Sequence, residues 1–125
     1  MSNLTSPLTN LPPRKHGVVA VIAESRKLLV IRRSATVRAP NLICLPGGGI
    51  ESGENFETAM LRELKEELSL DVTIRKHLWT SVTRWGVQLE WMLCQRQPES
   101  EPIPNPDEVS EVLWMTIDEL RPRND

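Results

Sequence analysis

The stretch GGIESGENFETAMLRELKEELSL, Gly48 to Leu70, decides how this chain is read. Its opening glycines, with Gly47 before and Gly53 within, weaken any helix or strand, so they predict a loop where backbone comes close to something else. Ser52 or Asn55 is placed to cap a helix that runs to Leu68, with Glu54 and Glu57 suiting its positive end. On a wheel of about 100° per residue, Leu61, Leu64 and Leu68 form the expected buried stripe, with Met60 at its edge. Glu63, Glu66 and Glu67 share the neighbouring arc, because offsets of three and four bring side chains together. Like charges at that spacing repel by a few tenths of a kcal/mol, roughly, in an isolated helix. On its own such a trio is ordinarily a solvated acidic face. It is also how oxygen ligands are gathered for a hard cation such as Mg2+.

The surroundings choose between those readings. Gly48, five residues, Glu54, seven residues, then Arg62-Glu63-Leu64-Lys65-Glu66-Glu67-Leu68-Ser69-Leu70 closely resembles the Nudix box, G-x5-E-x7-R-E-U-x-E-E-x-G-U with U a bulky aliphatic. Eight of nine specified positions match, a coincidence on the order of once in 10^8 random windows of average composition. The departure is Ser69, where the family carries a glycine that supplies a left-handed helix end. Serine there is expected to cost stability or remodel the turn, and it removes no ligand.

The resemblance implies a Nudix-type fold of the mixed α/β (α+β) class, an α/β/α sandwich with a mixed β-sheet. It implies a Mg2+-dependent hydrolase, with Mn2+ as substitute, attacking a diphosphate bond. Gly48, through its carbonyl, and Glu63, Glu66 and Glu67 are the implied metal ligands, Glu63 being either ligand or proton acceptor. Arg62 and Glu54 are implied as an ion pair that ties the loop to the helix. In MutT-like members a glutamate six residues before the tryptophan of a late strand approaches the metals. Counting back from Trp114 gives Glu108, with Glu111 the competitor.

Outward from the box, residues 18–23 and 27–33 are apolar, β-branched runs joined by Glu24-Ser25-Arg26, a hairpin pattern. Residues 34–41 are basic and contain Pro40, as in an irregular loop, and 42–45 predict a short buried strand ending at Pro46. Residues 71–83 and 86–96 read as two longer strands joined near Arg84-Trp85-Gly86. A proline-rich acidic loop, 98–107, leads to a last strand over 111–115, and Thr116 or Asp118 caps a final turn of helix. The likeness to the family covers residue 17 to about 120, and the helix that usually follows the last strand is barely begun. Residues 1–16, polar and proline-bearing, are expected to be a flexible arm ahead of a single domain over 17–125.

Phosphate contacts are expected from Arg32, Arg33, Arg38 or Arg84. Strand alternation separates Arg33, on the side of Leu29 and Ile31, from Arg32, and the second arginine of such a pair lies near the substrate in the MutT-like pattern. Trp85, near Trp79 and Trp91 in the strand pair, is a candidate for stacking on a nucleobase. Asn124, in a Pro-x-Asn-acid order, faintly resembles a guanine-reading asparagine of that pattern.

Bulk composition fits an ordinary globular domain: 125 residues, 39% hydrophobic, 26% charged, net charge -2. No global basic field attracts a nucleic-acid polymer or an anionic membrane. No segment has the length of a membrane span, and the opening lacks the apolar core of a signal peptide, so the chain reads as cytoplasmic. That address makes the sequon at Asn3 immaterial. Cys44 and Cys94 sit in apolar stretches as small hydrophobes, and His16 and His77 are isolated. The partner is a small nucleotide; a homodimer is common in the family, although no residue marks it. A (d)NTP cleaved to its monophosphate and pyrophosphate is the first expectation. ADP-ribose, nucleotide sugars, dinucleoside polyphosphates and a catalytically inactive nucleotide sensor are the alternatives.

Overall fold

Two apolar runs near the start each become the heart of a sheet. The computed structural model describes residues 15–121 and contains β1 (Lys15–Val21), β2 (Ala23–Glu24), β3 (Lys27–Arg33), β4 (Ile43–Cys44), β5 (Gly47–Gly49), α1 (Phe56–Leu68), β6 (Val72–Val82), β7 (Val87–Arg96), β8 (Val109–Thr116) and α2 (Ile117–Leu120). The expected arm and Asn3, and Asn124 at the other end, fall outside those residues, except that Lys15 and His16 already belong to β1.

In β1, Val18 and Ala20 face the core while Val19 and Val21 are half-buried on the other side. β1 pairs antiparallel with β5 and parallel with β7, and β6 completes the order β5-β1-β7-β6. The expected mixed sheet is therefore present. A second, antiparallel sheet stands beside it, with β3 between β4 and β8 and β2 at its start. Leu29, Val30 and Ile31 of β3 are all buried, as a central strand covered on both faces requires. The β2–β3 turn is Ser25-Arg26, both at positive φ (50° and 66°), which is the two-residue geometry that matches strand twist.

Three local expectations give way. Residues 42–45 do not make a buried strand: only Ile43–Cys44 pairs, and Leu42 is 55% exposed. The glycines are not a loop but strand β5, laid along β1. The last strand begins two residues early, at Val109.

Asn55, not Ser52, caps α1, its Oδ1 accepting the Thr58 N–H at 2.8 Å. The helix buries Ala59, Met60, Glu63, Leu64, Glu67 and Leu68 and leaves Leu61 46% exposed. The expected stripe is thus rolled by about one position, because the glutamates take the arc facing β5 and carry Met60 inward with them. One apolar core is shared by α1 and both sheets, from Val18, Ala20 and Ile22 through Leu29 and Ile31 to Leu64, Leu68, Met92, Cys94 and Val109.

At its end, Ser69 holds the left-handed conformation (φ 49°, ψ 36°) that the family gives to glycine. The terminal carbonyls find donors elsewhere: Asn105 Nδ2 reaches Glu66 O, Asn105 N reaches Glu67 O at 2.8 Å, and Ile103 N reaches Leu68 O at 2.7 Å. The proline-rich loop is the cap of the acidic helix. Thr116 caps α2 in a capping box with Glu119. Among the described residues no helix is long and apolar enough to cross a membrane.

Candidate active site

Arg62 organises the turn before the helix. Its Nε and Nη2 donate to the two oxygens of Glu54 at 2.7 and 3.0 Å, and Nη2 also reaches the Gly49 carbonyl at 2.8 Å. Nη1 donates to Glu63 Oε2 at 3.1 Å and to Glu66 Oε1 at 3.0 Å. Glu54 in turn accepts from the Glu51 N–H. The fork geometry of a guanidinium lets one side chain tie loop, strand and helix together. The Arg62 bond holds Glu54 below the ordinary carboxylate range, with the Glu51 N–H adding to it.

Behind that tie sit two buried carboxylates. Glu63 lies against Gly48 so closely that a Cβ on Gly48 would displace its carboxyl group from this position. Gly47 (φ 152°) is constrained differently: a side chain there would strike the Val18 carbonyl. The Gly47 N–H donates to Glu67 Oε1 at 3.1 Å.

Strand register corrects one expected ligand. Ala20 N bonds Pro46 O and Ile50 N bonds His16 O, so the Val18–Gly48 pair between them is also a bonded pair. The Gly48 carbonyl is therefore turned into the β1 ladder, lying beside Gly17, and not toward the glutamates. Gly47 is the residue whose polar edge faces Glu67.

Glu66 is on the solvent side of α1, its side chain 50% exposed. Glu108 stands across from Glu63 and Glu67. Its carbonyl accepts the Ser34 N–H at 3.0 Å, its N–H donates to Asn105 O, and its Oε2 receives Asn105 Nδ2 at 3.4 Å. Glu111, the competitor, is occupied by Arg32 Nε at 2.9 Å. Strand alternation turns Arg32 and Arg33 to opposite faces of β3, and the register shift beside them falls in β8, where Ser110 is the extra residue. Arg33 is on the glutamate side, close enough to favour Glu67's charge, and its Nε donates to the Arg38 carbonyl at 2.7 Å. These groups form one neighbourhood: Gly47, Glu63, Glu67, Glu108 and Arg33, with Arg38 held at its margin by its backbone.

Arg84 and Trp85 are elsewhere, at the β6–β7 turn, where the Arg84 guanidinium lies 4.6 Å from the centre of the Trp85 ring. Trp85 is 76% exposed, and among the described residues no bond or ion pair joins either to the glutamates. Trp79 and Trp91 stack on each other at 5.2 Å, apart from Trp85. His77 is not isolated: its Nε2 meets Glu90 Oε1 at 2.8 Å, and Thr80 and Gln88 donate to the same carboxylate. Asn105 and Glu90 carried no local sequence signal, because the partners of both lie on other elements.

Burial pushes the Glu67 carboxyl up to about 8; the Gly47 N–H opposes this, while Glu63 and Glu108 add to it by repulsion. Glu63 is raised as well, first by burial, with Arg62 opposing and Glu66 and Glu108 contributing. Carboxylates that are buried, mutually repelling and short of donors fit a divalent cation, since its charge offsets both costs. No group of three or more His, Cys, Asp or Glu side chains is drawn into a closed ligand cluster among the described residues. Arg62 keeps Glu66 apart. The donor set fits a hard cation in chemistry, with Glu66 needing to leave Arg62.

The NUDIX domain profile matches residues 12–125. The m7GpppN-mRNA hydrolase NUDT17 of Bos taurus is similar, 32% identical over 139 residues that take in 90% of this chain and 46% of that protein. The NAD-capped RNA hydrolase NudC of Mycobacterium tuberculosis is 27% identical over 108 residues, 84% of this chain and 34% of that one. The chain spans less than half the length of these curated relatives. A crystal structure of an ADP-ribose pyrophosphatase from Streptococcus suis shares the fold, with a TM-score of 0.71 at 23% identity over 90% of this chain and 81% of that one. Box, fold and profile agree along almost the whole length, and this chain belongs to the NUDIX domain family.

Proposed function

We propose that the chain cleaves a diphosphate bond in a nucleoside diphosphate-linked substrate, with Mg2+ as its metal and Mn2+ as a substitute. The observation that carries this is a pair of buried carboxylates, Glu63 and Glu67, set behind a glycine strand and faced by Glu108. When bound, a divalent ion neutralises phosphate oxygens and lowers the pKa of bound water. Glu63 and Glu67 hold it from the buried side. Glu66 joins by giving up an exposed i,i+4 contact with Arg62 that is worth only about half a kcal/mol. Gly47 offers the backbone edge on that side, in place of Gly48. Glu108 takes the proton of the attacking water, and Arg33 and Arg38 hold the phosphates. Arg62 and Glu54 keep the turn and helix in register.

Linked substrates are favoured over a free (d)NTP. The similar proteins above are named for an mRNA cap, NAD-capped RNA and ADP-ribose, each a nucleotide joined through phosphates to a second group. The test is turnover of dGTP, dATP, ADP-ribose, UDP-glucose, NADH and GpppG in Mg2+, with products identified by chromatography. Turnover of a linked substrate at least about tenfold faster than any dNTP supports the reading. Faster dNTP cleavage with release of pyrophosphate returns the assignment to the (d)NTP class. Measurable affinity without turnover in both Mg2+ and Mn2+ makes the protein a sensor. Two unpaired thiols, Cys44 and Cys94, support a reducing, cytoplasmic location.

A further inference from the structure

Glu108 reaches the site from a loop, and something must aim it. We infer that Asn105 is a positioning residue that couples the end of the acidic helix to the carboxylate of Glu108. The inference rests on the reading of Glu108 as the proton acceptor.

A glutamate side chain has three rotatable bonds and loses on the order of 2 kcal/mol of rotamer entropy when fixed. The backbone of Glu108 is already held from two directions. Its N–H and that of Val109 donate to the Asn105 carbonyl at 2.9 and 2.8 Å, and the Ser34 N–H donates to its carbonyl at 3.0 Å. The carboxylate is what is left to orient, and among the described residues Asn105 Nδ2 is its one hydrogen-bond donor, at 3.4 Å.

The same nitrogen donates to Glu66 O at 3.2 Å, and the Asn105 N–H donates to Glu67 O at 2.8 Å. Asn105 Oδ1 receives the Asp107 N–H at 3.1 Å, which fixes the amide plane. With that plane set, the two amide hydrogens diverge, one toward α1 and one toward Glu108. The length of the Glu108 contact makes it a steering contact, not a strong bond. Aspartate would keep the Asp107 contact but could donate to neither partner, and its charge would sit at a helix C-terminus beside another carboxylate. Asparagine is the residue of this size that serves both ends.

The test is a double-mutant cycle between Asn105→Ala and Glu108→Gln. The probe is whichever of dGTP, ADP-ribose and GpppG the parent turns over fastest, followed in single turnover so that slow variants remain readable. Asn105→Ala is expected to lower kcat by about tenfold with KM within about twofold, and to cost less than about twofold in the Glu108→Gln background. Amide exchange at Glu108 and Val109 is expected to stay as slow as in the parent, since the backbone clamp does not use the side chain. Equal losses in both backgrounds, a loss confined to KM, or fast exchange at those amides would each overturn the inference. Asn105→Asp serves as a second variant and is expected to lose at least as much kcat. Full kcat in Glu108→Gln alone would instead remove Glu108 from the chemistry, a distinct result that takes the reading of the base with it.

Discussion

Glu90 and Glu67 are both shielded from solvent, 6% and 5% exposed, with Glu67 lying the deeper of the two, and the protein treats them in opposite ways. Burial pushes Glu90 up, but Gln88, Thr80 and His77 all donate to it, and the balance lies below the ordinary carboxylate range. Glu67 has one donor, the Gly47 N–H, and two carboxylates for neighbours, and ends near 8. A buried acid that is fully hydrogen-bonded is part of the scaffold. One left short of partners costs stability unless something else supplies positive charge. The contrast separates a structural carboxylate from a functional one without reference to the sequence motif.

The largest expected effect is on activity. Glu67→Gln should lower kcat in Mg2+ by roughly a thousandfold, as loss of several kcal/mol of charge stabilisation requires, while Glu90→Gln stays within about twofold of the parent. Steady-state rates on the best substrate of the panel decide this, and a Glu67→Gln enzyme with parental kcat would end the distinction. Stability should respond in the reverse order. Glu90→Gln is expected to lose about 1–2 kcal/mol in urea melts, because charge-assisted bonds in a buried site are replaced by weaker ones. Metal-free Glu67→Gln at pH 8 should melt at or above the parent temperature.

The pH dependence follows from the sign of the Glu67 shift. Its folded pKa lies above the ordinary value of 4.5, so between about 4.5 and 8 the folded chain binds a proton that the unfolded chain has released. The stability of the metal-free protein therefore declines as pH rises through that window, and Glu63, shifted in the same direction, adds to the decline. Glu54, Glu90 and Glu119 are lowered and act only below 4.5, where their contribution is lost as pH falls. Melting temperatures from pH 5 to 8 in EDTA should fall, with a shallower slope in Glu67→Gln. Saturating Mg2+ should flatten the parent's slope, since ligands must be ionised to bind. An identical slope in parent and variant would show that Glu67 titrates normally.

What could be read from the chain and what could not divides along the range of the interactions. The glycine stretch, the helix behind it, the Asn55 cap and the unusual end at Ser69 are local, and local residue types announce them. The separation of Arg32 from Arg33 follows from strand alternation alone. The roll of α1 does not: a helical wheel says that Leu61 is next to Leu64, but only the placement of β5 decides that Met60 goes in and Leu61 out. Which glycine turns its polar backbone edge toward Glu67 depends on the β1–β5 register, where a shift of one residue exchanges the roles of Gly47 and Gly48. The loop at 98–107 looked like a connection and is the helix cap, because its partners lie on α1, more than thirty residues away in the chain.

The smallest effect concerns the helix end that presents Glu67. Ser69 sits at φ 49°, where a Cβ is strained and glycine is not. Ser69→Gly removes that strain but loosens the unfolded chain, so the net gain should be under about 1 kcal/mol. The Ser69 N–H bonds to the Leu64 and Lys65 carbonyls survive the change, and the loop donors Ile103 and Asn105 are untouched. The expected result is therefore a rise of a few degrees in melting temperature with kcat and KM unchanged. A change in kcat would mean that the serine end sets the pitch of the last turn, and with it the direction of Glu67. In that case the poorly satisfied carboxylate would owe its state to the helix end as well as to its neighbours, and the contrast with Glu90 would have to be redrawn to include the backbone beneath it.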